Sequence, residues 1–273
     1  MKKFDGILMC TDLDGTLLKG DKTISKENRA AIQYFQEEGG LFTFVTGRMP
    51  FCVDNILKMV MPNCPFGCIN GGGIFDHRTG EYLWTVEMSK EALDFLEHVE
   101  KELPEIGFQV NTFEHIYFCK ENAAMADFRA STGVPNLTCH YRDVEEPMAK
   151  LLFGDRSEAN IQKLDKLLHA HPLAEKYDLI SSESSLYEIL PKGISKGNVL
   201  LKMAELLHVD PAKTIAVGDY NNDISMIRNA KLGFAVANAR PEVKAAADYV
   251  TVSNEEHAIA RIIYDLDSLG GFL

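Results

Sequence analysis

The sequence predicts an α/β fold: a parallel sheet with helices on both faces, interrupted by a smaller inserted α+β domain. Three observations carry this reading. Buried-strand and helix patterns alternate through the first 84 residues. Near residue 86 the alternation gives way to helices mixed with adjacent extended runs. After Pro191-Lys192-Gly193 the alternation returns. The expected organisation is residues 1–85 as the first part of the core, 86–191 as the insert and 192–273 as the rest of the core.

Taken in order, residues 4–12 form a nearly continuous apolar run, the pattern of a strand buried on both faces. Ala30, Ala31, Tyr34 and Phe35 recur at helical spacing, so 25–38 reads as a helix with Ser25 as N-cap, and Asn28 stands where a capping box places Glu. Gly39-Gly40 ends it. A second buried strand spans 41–46, a helix 51–60, and a third strand 66–70, closed by Gly71-Gly72-Gly73. The insert reads as a helix over 89–102, strands at 108–111 and 116–119, and a helix over 122–130. A strand at 149–153, a helix over 157–169 and a hairpin of 177–181 with 186–190 complete it. The core then resumes with helices over 195–207, 224–229, 242–247 and 255–264, alternating with strands at 213–217, 232–236 and 249–252.

Composition bounds the function. A chain of 273 residues, 46% hydrophobic and 25% charged, can bury a core without staples. With 28 Lys and Arg against 40 Asp and Glu, the net charge of −12 argues against non-specific nucleic-acid binding. The same charge would repel an anionic ligand unless the local site inverts its sign. No apolar stretch approaches the roughly 20 residues of a membrane span, and no signal peptide is visible, so a cytoplasmic protein without membrane contact is expected. Six cysteines suit that compartment as thiols, and Cys64 and Cys68 lack the second pair that a zinc site needs. His115, His140, His169 and His171 read as ordinary surface or core residues. Oligomeric state is left open.

Four motifs fall at strand ends or a helix start, where open α/β sheets place ligands. Asp12-Leu13-Asp14-Gly15-Thr16 puts two carboxylates after a buried strand. A calcium loop does not fit, because the twelfth position is Thr23 rather than Glu. Thr46-Gly47-Arg48 offers a hydroxyl and a glycine N–H, suited either to a phosphate oxygen or to a helix cap. Lys196 sits in the first turn of a helix, against the helix dipole, as a site residue or a solvated lysine. Asp219-Tyr220-Asn221-Asn222-Asp223 offers oxygen donors in excess of what a cap needs, as Mg²⁺ would want.

These four motifs, in this chain order, resemble the haloacid dehalogenase (HAD) superfamily of phosphohydrolases over residues 4–84 and 192–264. Only about thirty residues separate Asp14 from Thr46, so the insert lies after the third strand, as in the type IIB cap group, the Cof-like sugar-phosphate phosphatases. Ile69-Asn70-Gly71-Gly72 and the stretch from Ala237-Asn238-Ala239 to Thr251 also look like that group. Glu255-Glu256-His257 departs from it, where relatives often carry glycine.

The resemblance implies a Rossmann-like core, a Mg²⁺ cofactor, a small phosphorylated metabolite as substrate (sugar phosphates first) and the insert as a lid. It implies that Asp12 attacks phosphorus to form an aspartyl phosphate, and that Asp14 protonates the leaving oxygen and then deprotonates water. It places Asp12, the Asp14 carbonyl and Asp219 on the metal, with Asp223 supporting them. Thr46, Gly47 and Lys196 would bind the phosphoryl group with an N–H near Gly15, and Asn222 would contact it or steady Lys196. Arg48 is open between a structural ion pair and a substrate contact. A phosphosugar mutase and a non-catalytic phosphometabolite-binding regulator remain as alternatives. A nucleotide switch lacks its G-x-x-x-x-G-K-[ST] loop.

Overall fold

The computed structural model describes residues 2–268. The chain divides into two compact units, one of Met1–Trp84 with Ser195–Leu273 and the other of Thr85–Ile194. In chain order the first unit opens with β1 (Leu8–Thr11), α1 (Lys26–Glu37), β2 (Leu41–Phe44), α2 (Asp54–Leu57), β3 (Phe66–Cys68) and β4 (Gly73–Asp76). β5 (Glu81–Thr85) follows, and then the second unit's α3 (Leu93–Glu102), β6 (Gly107–Thr112), β7 (Ile116–Lys120) and α4 (Ala123–Thr132). That unit continues with β8 (Met148–Gly154), α5 (Glu158–His169), β9 (Tyr177–Glu183) and β10 (Leu186–Pro191). The first unit resumes with α6 (Lys196–Leu206), β11 (Thr214–Gly218), α7 (Ile224–Asn229), β12 (Leu232–Ala235), α8 (Pro241–Ala246), β13 (Tyr249–Val250) and α9 (Ala258–Ser268).

The first unit is built on a parallel sheet in the order β13-β12-β11-β1-β2. β1 and β11 are its central strands, and every residue of both is buried. Two-sided burial explains their apolar runs. Their C-terminal ends lie side by side, with Thr11 opposite Val217, so the loops that leave them begin next to each other. Ser25 caps α1 by accepting from the Asn28 N–H at 3.1 Å. Asn28 is not a capping-box residue: its Oδ1 accepts from the Ala260 N–H at 2.9 Å and ties α1 to α9. The second unit has an antiparallel sheet in the order β7-β6-β8-β10-β9, with α3 and α5 closing an apolar core around Phe95, Leu96, Phe153 and Leu164. Among the described residues no helix is long and apolar enough to cross a membrane.

Several expected elements differ. The strand expected at 4–12 forms only at Leu8–Thr11. Phe4 is fully buried, but against Phe35, ahead of a turn at Gly6 with φ +74°. The helix expected at 51–60 is a 3₁₀ turn from Pro50 to Cys52, followed by a single α turn at Asp54–Leu57. Val53, at φ −111°, interrupts it, and burial of Val53 and Ile56 holds the segment down. The strand expected at 66–70 ends at Cys68, and its one parallel bridge, Gly67 to Val45, lies just past the end of β2. It pairs antiparallel with β4 instead, in a three-stranded sheet β3-β4-β5 whose last two strands the sequence reading lacks. The strand expected at 249–252 is two residues long.

Candidate active site

The residues singled out from sequence converge where β1, β2 and β11 end. Asp12 directly follows β1, held by its N–H to the Val217 carbonyl at 2.9 Å, and its side chain is buried. The chain then turns through Gly15 at φ +85°, where a β-carbon would lie 2.5 Å from Asp219 Oδ2. Glycine is required there on both counts. Thr16 Oγ1 donates to Asp219 Oδ1 at 2.6 Å, and Asn238 Nδ2 donates to the Gly15 carbonyl at 2.8 Å, so the first motif is locked to the loops after β11 and β12. Thr46 is buried, and its hydroxyl oxygen accepts from the Arg48 N–H at 3.2 Å, which leaves its proton as the donor for a ligand.

Lys196 is not a solvated lysine. It is 2% exposed, and Nζ donates to Asp12 Oδ1 at 2.5 Å and to Asp223 Oδ1 at 2.6 Å. Its place at the start of α6 follows from the Ser195 cap, whose Oγ accepts from the Asn198 N–H at 3.1 Å. Asp223 is fully buried, and its Oδ2 accepts from the Asp219 and Tyr220 N–H groups at 2.9 and 3.0 Å. Asp223 therefore both fixes the loop after β11 and steadies Lys196. The sequence reading gave Asn222 that second part as one option, but Asn222 donates through Nδ2 to Asn70 Oδ1 at 3.0 Å.

Arg48 forms a two-pronged ion pair with Asp14: Nε to Oδ2 at 2.7 Å and a terminal nitrogen to Oδ1 at 2.8 Å. Lys22 adds a third bond to Asp14 Oδ1 at 2.8 Å. Sequence reasoning missed Lys22, and Thr16 as a partner of Asp219, and it gave no role to Asn70 or Asn238, although the stretches around both were matched to the family. Their roles come from contacts across loops, which local sequence does not show. His115 bonds to Glu146 at 2.9 Å, and that carboxylate also accepts from the Thr112 and Tyr117 hydroxyls, so the group is explained as a surface network.

The electrostatics of the site are unequal. Burial pushes the Asp12 carboxyl well above its usual range, against the pull of Lys196, and the Asp223, Asp219 and Asp14 charges add to the rise. Burial and the neighbouring Asp223 charge push Asp219 up to about 7. Asp14 goes the other way: burial would raise it, but Arg48 and Lys22 together bring it down to about 2. For Lys196 burial favours the neutral form, and Asp12 and Asp223 outweigh it and hold the ammonium.

One carboxylate oxygen from each of Asp12, Asp219 and Asp223 lies within 4.8 Å of the others. Hard oxygen donors crowded together, those of Asp12 and Asp219 disfavoured as anions, fit a hard divalent cation. Asp12 and Asp219 are each bonded through Oδ1, which leaves the Oδ2 of each to a cation. Both oxygens of Asp223 are engaged, which suits it to support rather than to direct ligation.

The sequence profile of the haloacid dehalogenase-like hydrolases matches residues 9–263. The chain is 31% identical to the 5-amino-6-(5-phospho-D-ribitylamino)uracil phosphatase YwtE of Bacillus subtilis, over 93% of this chain and 96% of that protein. It is 29% identical to phosphatase YwpJ of the same organism, over 95% and 99% of the two. Among solved structures it is similar to a haloacid dehalogenase-like hydrolase from Bacteroides thetaiotaomicron, with a TM-score of 0.81, 26% identity and coverage of 95% and 99%. The match spans both sides of the insert and includes every residue of the constellation around Asp12. The chain belongs to the haloacid dehalogenase-like hydrolase family.

Proposed function

We propose that the protein is a Mg²⁺-dependent phosphomonoesterase of small phosphorylated metabolites, sugar phosphates first, working through an aspartyl phosphate on Asp12. The observation that carries this is the buried Lys196 bridging Asp12 and Asp223 at 2.5 and 2.6 Å. It keeps one oxygen of the nucleophile fixed and supplies a cation where phosphoryl charge collects. The relatives named above are phosphatases, one of them for a phosphorylated ribitylamino compound, which supports water rather than a sugar hydroxyl as acceptor.

Asp12 would attack phosphorus through Oδ1, the oxygen that Lys196 holds in place, breaking the bond to the leaving oxygen. Asp14 would deliver a proton to that oxygen and then take one from the water that cleaves the acyl phosphate. The Thr46 hydroxyl, the Gly47 N–H and Lys196 would hold the transferring oxygens, with Asn222 beside them. Asp12 Oδ2, the Asp14 backbone carbonyl and Asp219 Oδ2 would hold Mg²⁺, which when bound neutralises phosphoryl charge. The insert, 86–191, takes the part of a substrate lid. Six cysteines carried as thiols support a reducing, cytoplasmic setting.

The test is a phosphate-release screen of purified protein over phosphorylated metabolites, with and without Mg²⁺. Release that needs Mg²⁺ and falls about 10³-fold or more in Asp12→Asn is expected. Full activity in that variant would remove Asp12 as nucleophile.

A further inference from the structure

The turn between β3 and β4 is unlike an ordinary hairpin tip. Three successive residues, Ile69, Asn70 and Gly71, have φ of +58°, +53° and +105°. Asn70 is 1% exposed, whereas hairpin tips face solvent. The turn is threaded among the loops that carry the site. The Ile69 N–H donates to the Arg48 carbonyl at 3.1 Å and the Asn70 N–H to the Thr46 carbonyl at 2.9 Å. At Gly47 a β-carbon would lie 2.9 Å from Asn70 Oδ1. At Gly71 it would collide with the Ser195 main chain, one residue before Lys196. The side chain of Asn70 then reaches across 152 positions of sequence to accept from Asn222 Nδ2 at 3.0 Å. With that amide nitrogen engaged, Asn222 Oδ1 is buried and has no partner among the described residues. A buried orphan of this kind in a native fold marks a place for a ligand or an ordered water.

From this geometry we infer that Asn70 is a positioning residue of the phosphoryl site: it sets the orientation of Asn222 and the spacing of the Thr46–Gly47 loop from it. The inference rests on the phosphatase reading of the site and adds a residue to it. Asn70 decides which end of the Asn222 amide is left for the ligand, because one amide of the pair must donate where the other accepts. Should both amides be turned over, Asn222 would offer an N–H instead of a carbonyl, and the control by Asn70 would be the same.

A competing account is that Asn70 is there only because Asn tolerates φ above zero. The two accounts separate at Asn70→Gly. Glycine adopts this backbone at least as well as Asn, so a pure turn residue would be replaced without loss. A positioning residue would not. The experiment measures kcat and KM for p-nitrophenyl phosphate with Mg²⁺, together with Tm, for wild type, Asn70→Gly, Asn222→Ala and the double variant. Expected are an Asn70→Gly Tm no lower than wild type, a kcat/KM lower by about 10- to 100-fold with kcat affected, and a double variant within about threefold of the worse single one. Asn70→Gly within about threefold of wild type, or losses that multiply in the double variant, would overturn the inference and leave the phosphatase reading standing. A wild type without Mg²⁺-dependent turnover would overturn both.

Discussion

In the proposed mechanism Asp14 has two tasks that need opposite proton states, and its neighbours favour one of them. Arg48 and Lys22 bring its carboxyl down to about 2 despite its burial, so before substrate binds it is an anion at any ordinary pH. An anion is ready to take a proton from water, but to protonate a leaving group it must first be released from those cations. Asp14→Asn can do neither. With p-nitrophenyl phosphate the leaving group needs no proton, so the first step survives in this variant while hydrolysis of the aspartyl phosphate slows by about 10²- to 10⁴-fold. Rapid-mixing experiments should show a burst of one p-nitrophenolate per enzyme followed by slow turnover. A linear course with no burst would confine Asp14 to the first step. Lys196 carries a stability prediction as well. Lys196→Met leaves Asp12 and Asp223 buried without their cation, which costs about 3–5 kcal/mol at pH 8 in urea unfolding of metal-free protein. The loss should shrink toward pH 5, where a proton can replace the lysine. An equal loss at both values would mean the pair is solvated.

At the scale of elements, the site depends on how closely α6 can approach α7. A β-carbon on Gly197 would lie 2.5 Å from the Ser225 carbonyl oxygen, and the Gly197 N–H donates to Ser225 Oγ at 3.1 Å. Gly197→Ala should push the two helices apart at about 1–3 kcal/mol, read from urea unfolding, and lower kcat/KM because Lys196 is the preceding residue. Unchanged stability would show that the helices can give way freely. The elements visible in the sequence are those whose own chemistry declares them. β1, β2 and β11 are buried on both faces and read as apolar runs, and Asp12, Thr46 and Asp219 were found because they follow such runs. What was hidden depends on partners distant in sequence. Hydrophobic pattern marks 66–68 as buried, but it cannot say that Phe66 pairs with Phe75 rather than with another parallel strand. Asn28 looked like a faulty cap because its partner, Ala260, is 232 residues away. Ile69 in a left-handed conformation, at a cost of about 1–2 kcal/mol, runs against every local preference, and such conflicts collect at functional sites. Lys22 lies in a tight exposed turn, and only the folded loop brings it to Asp14.

For the whole molecule, a net charge of −12 and an anionic substrate are reconciled only if the site carries its own positive charge. Lys196, Arg48 and Lys22 supply part of it, yet each is spent on Asp12, Asp223 or Asp14. The balance falls to the cation, and the pH dependence of stability can test this. Asp219 is raised from 3.8 to about 7, and Asp12 is raised as well. Between those values the folded protein keeps protons that the unfolded chain gives up, so stability falls as pH rises from about 4 through 7. Asp14 has the opposite sign, but its loss comes only as pH drops toward 2, outside that window. Metal-free protein should therefore have a Tm that declines from pH 5 to pH 8. Mg²⁺ must displace the same protons, so it should raise Tm little at pH 5 and clearly at pH 8, where a concentration of about 100 times its Kd adds about 2.7 kcal/mol. Asp219→Asn removes one charge and one ligand together. Its metal-free Tm at pH 8 should exceed that of wild type, its slope with pH should flatten, and its response to Mg²⁺ should largely vanish. A variant that keeps the full Mg²⁺ shift at pH 8, or a wild type whose metal-free Tm rises over this range, would show that the carboxylates after β1 and β11 do not act together as the cation's site.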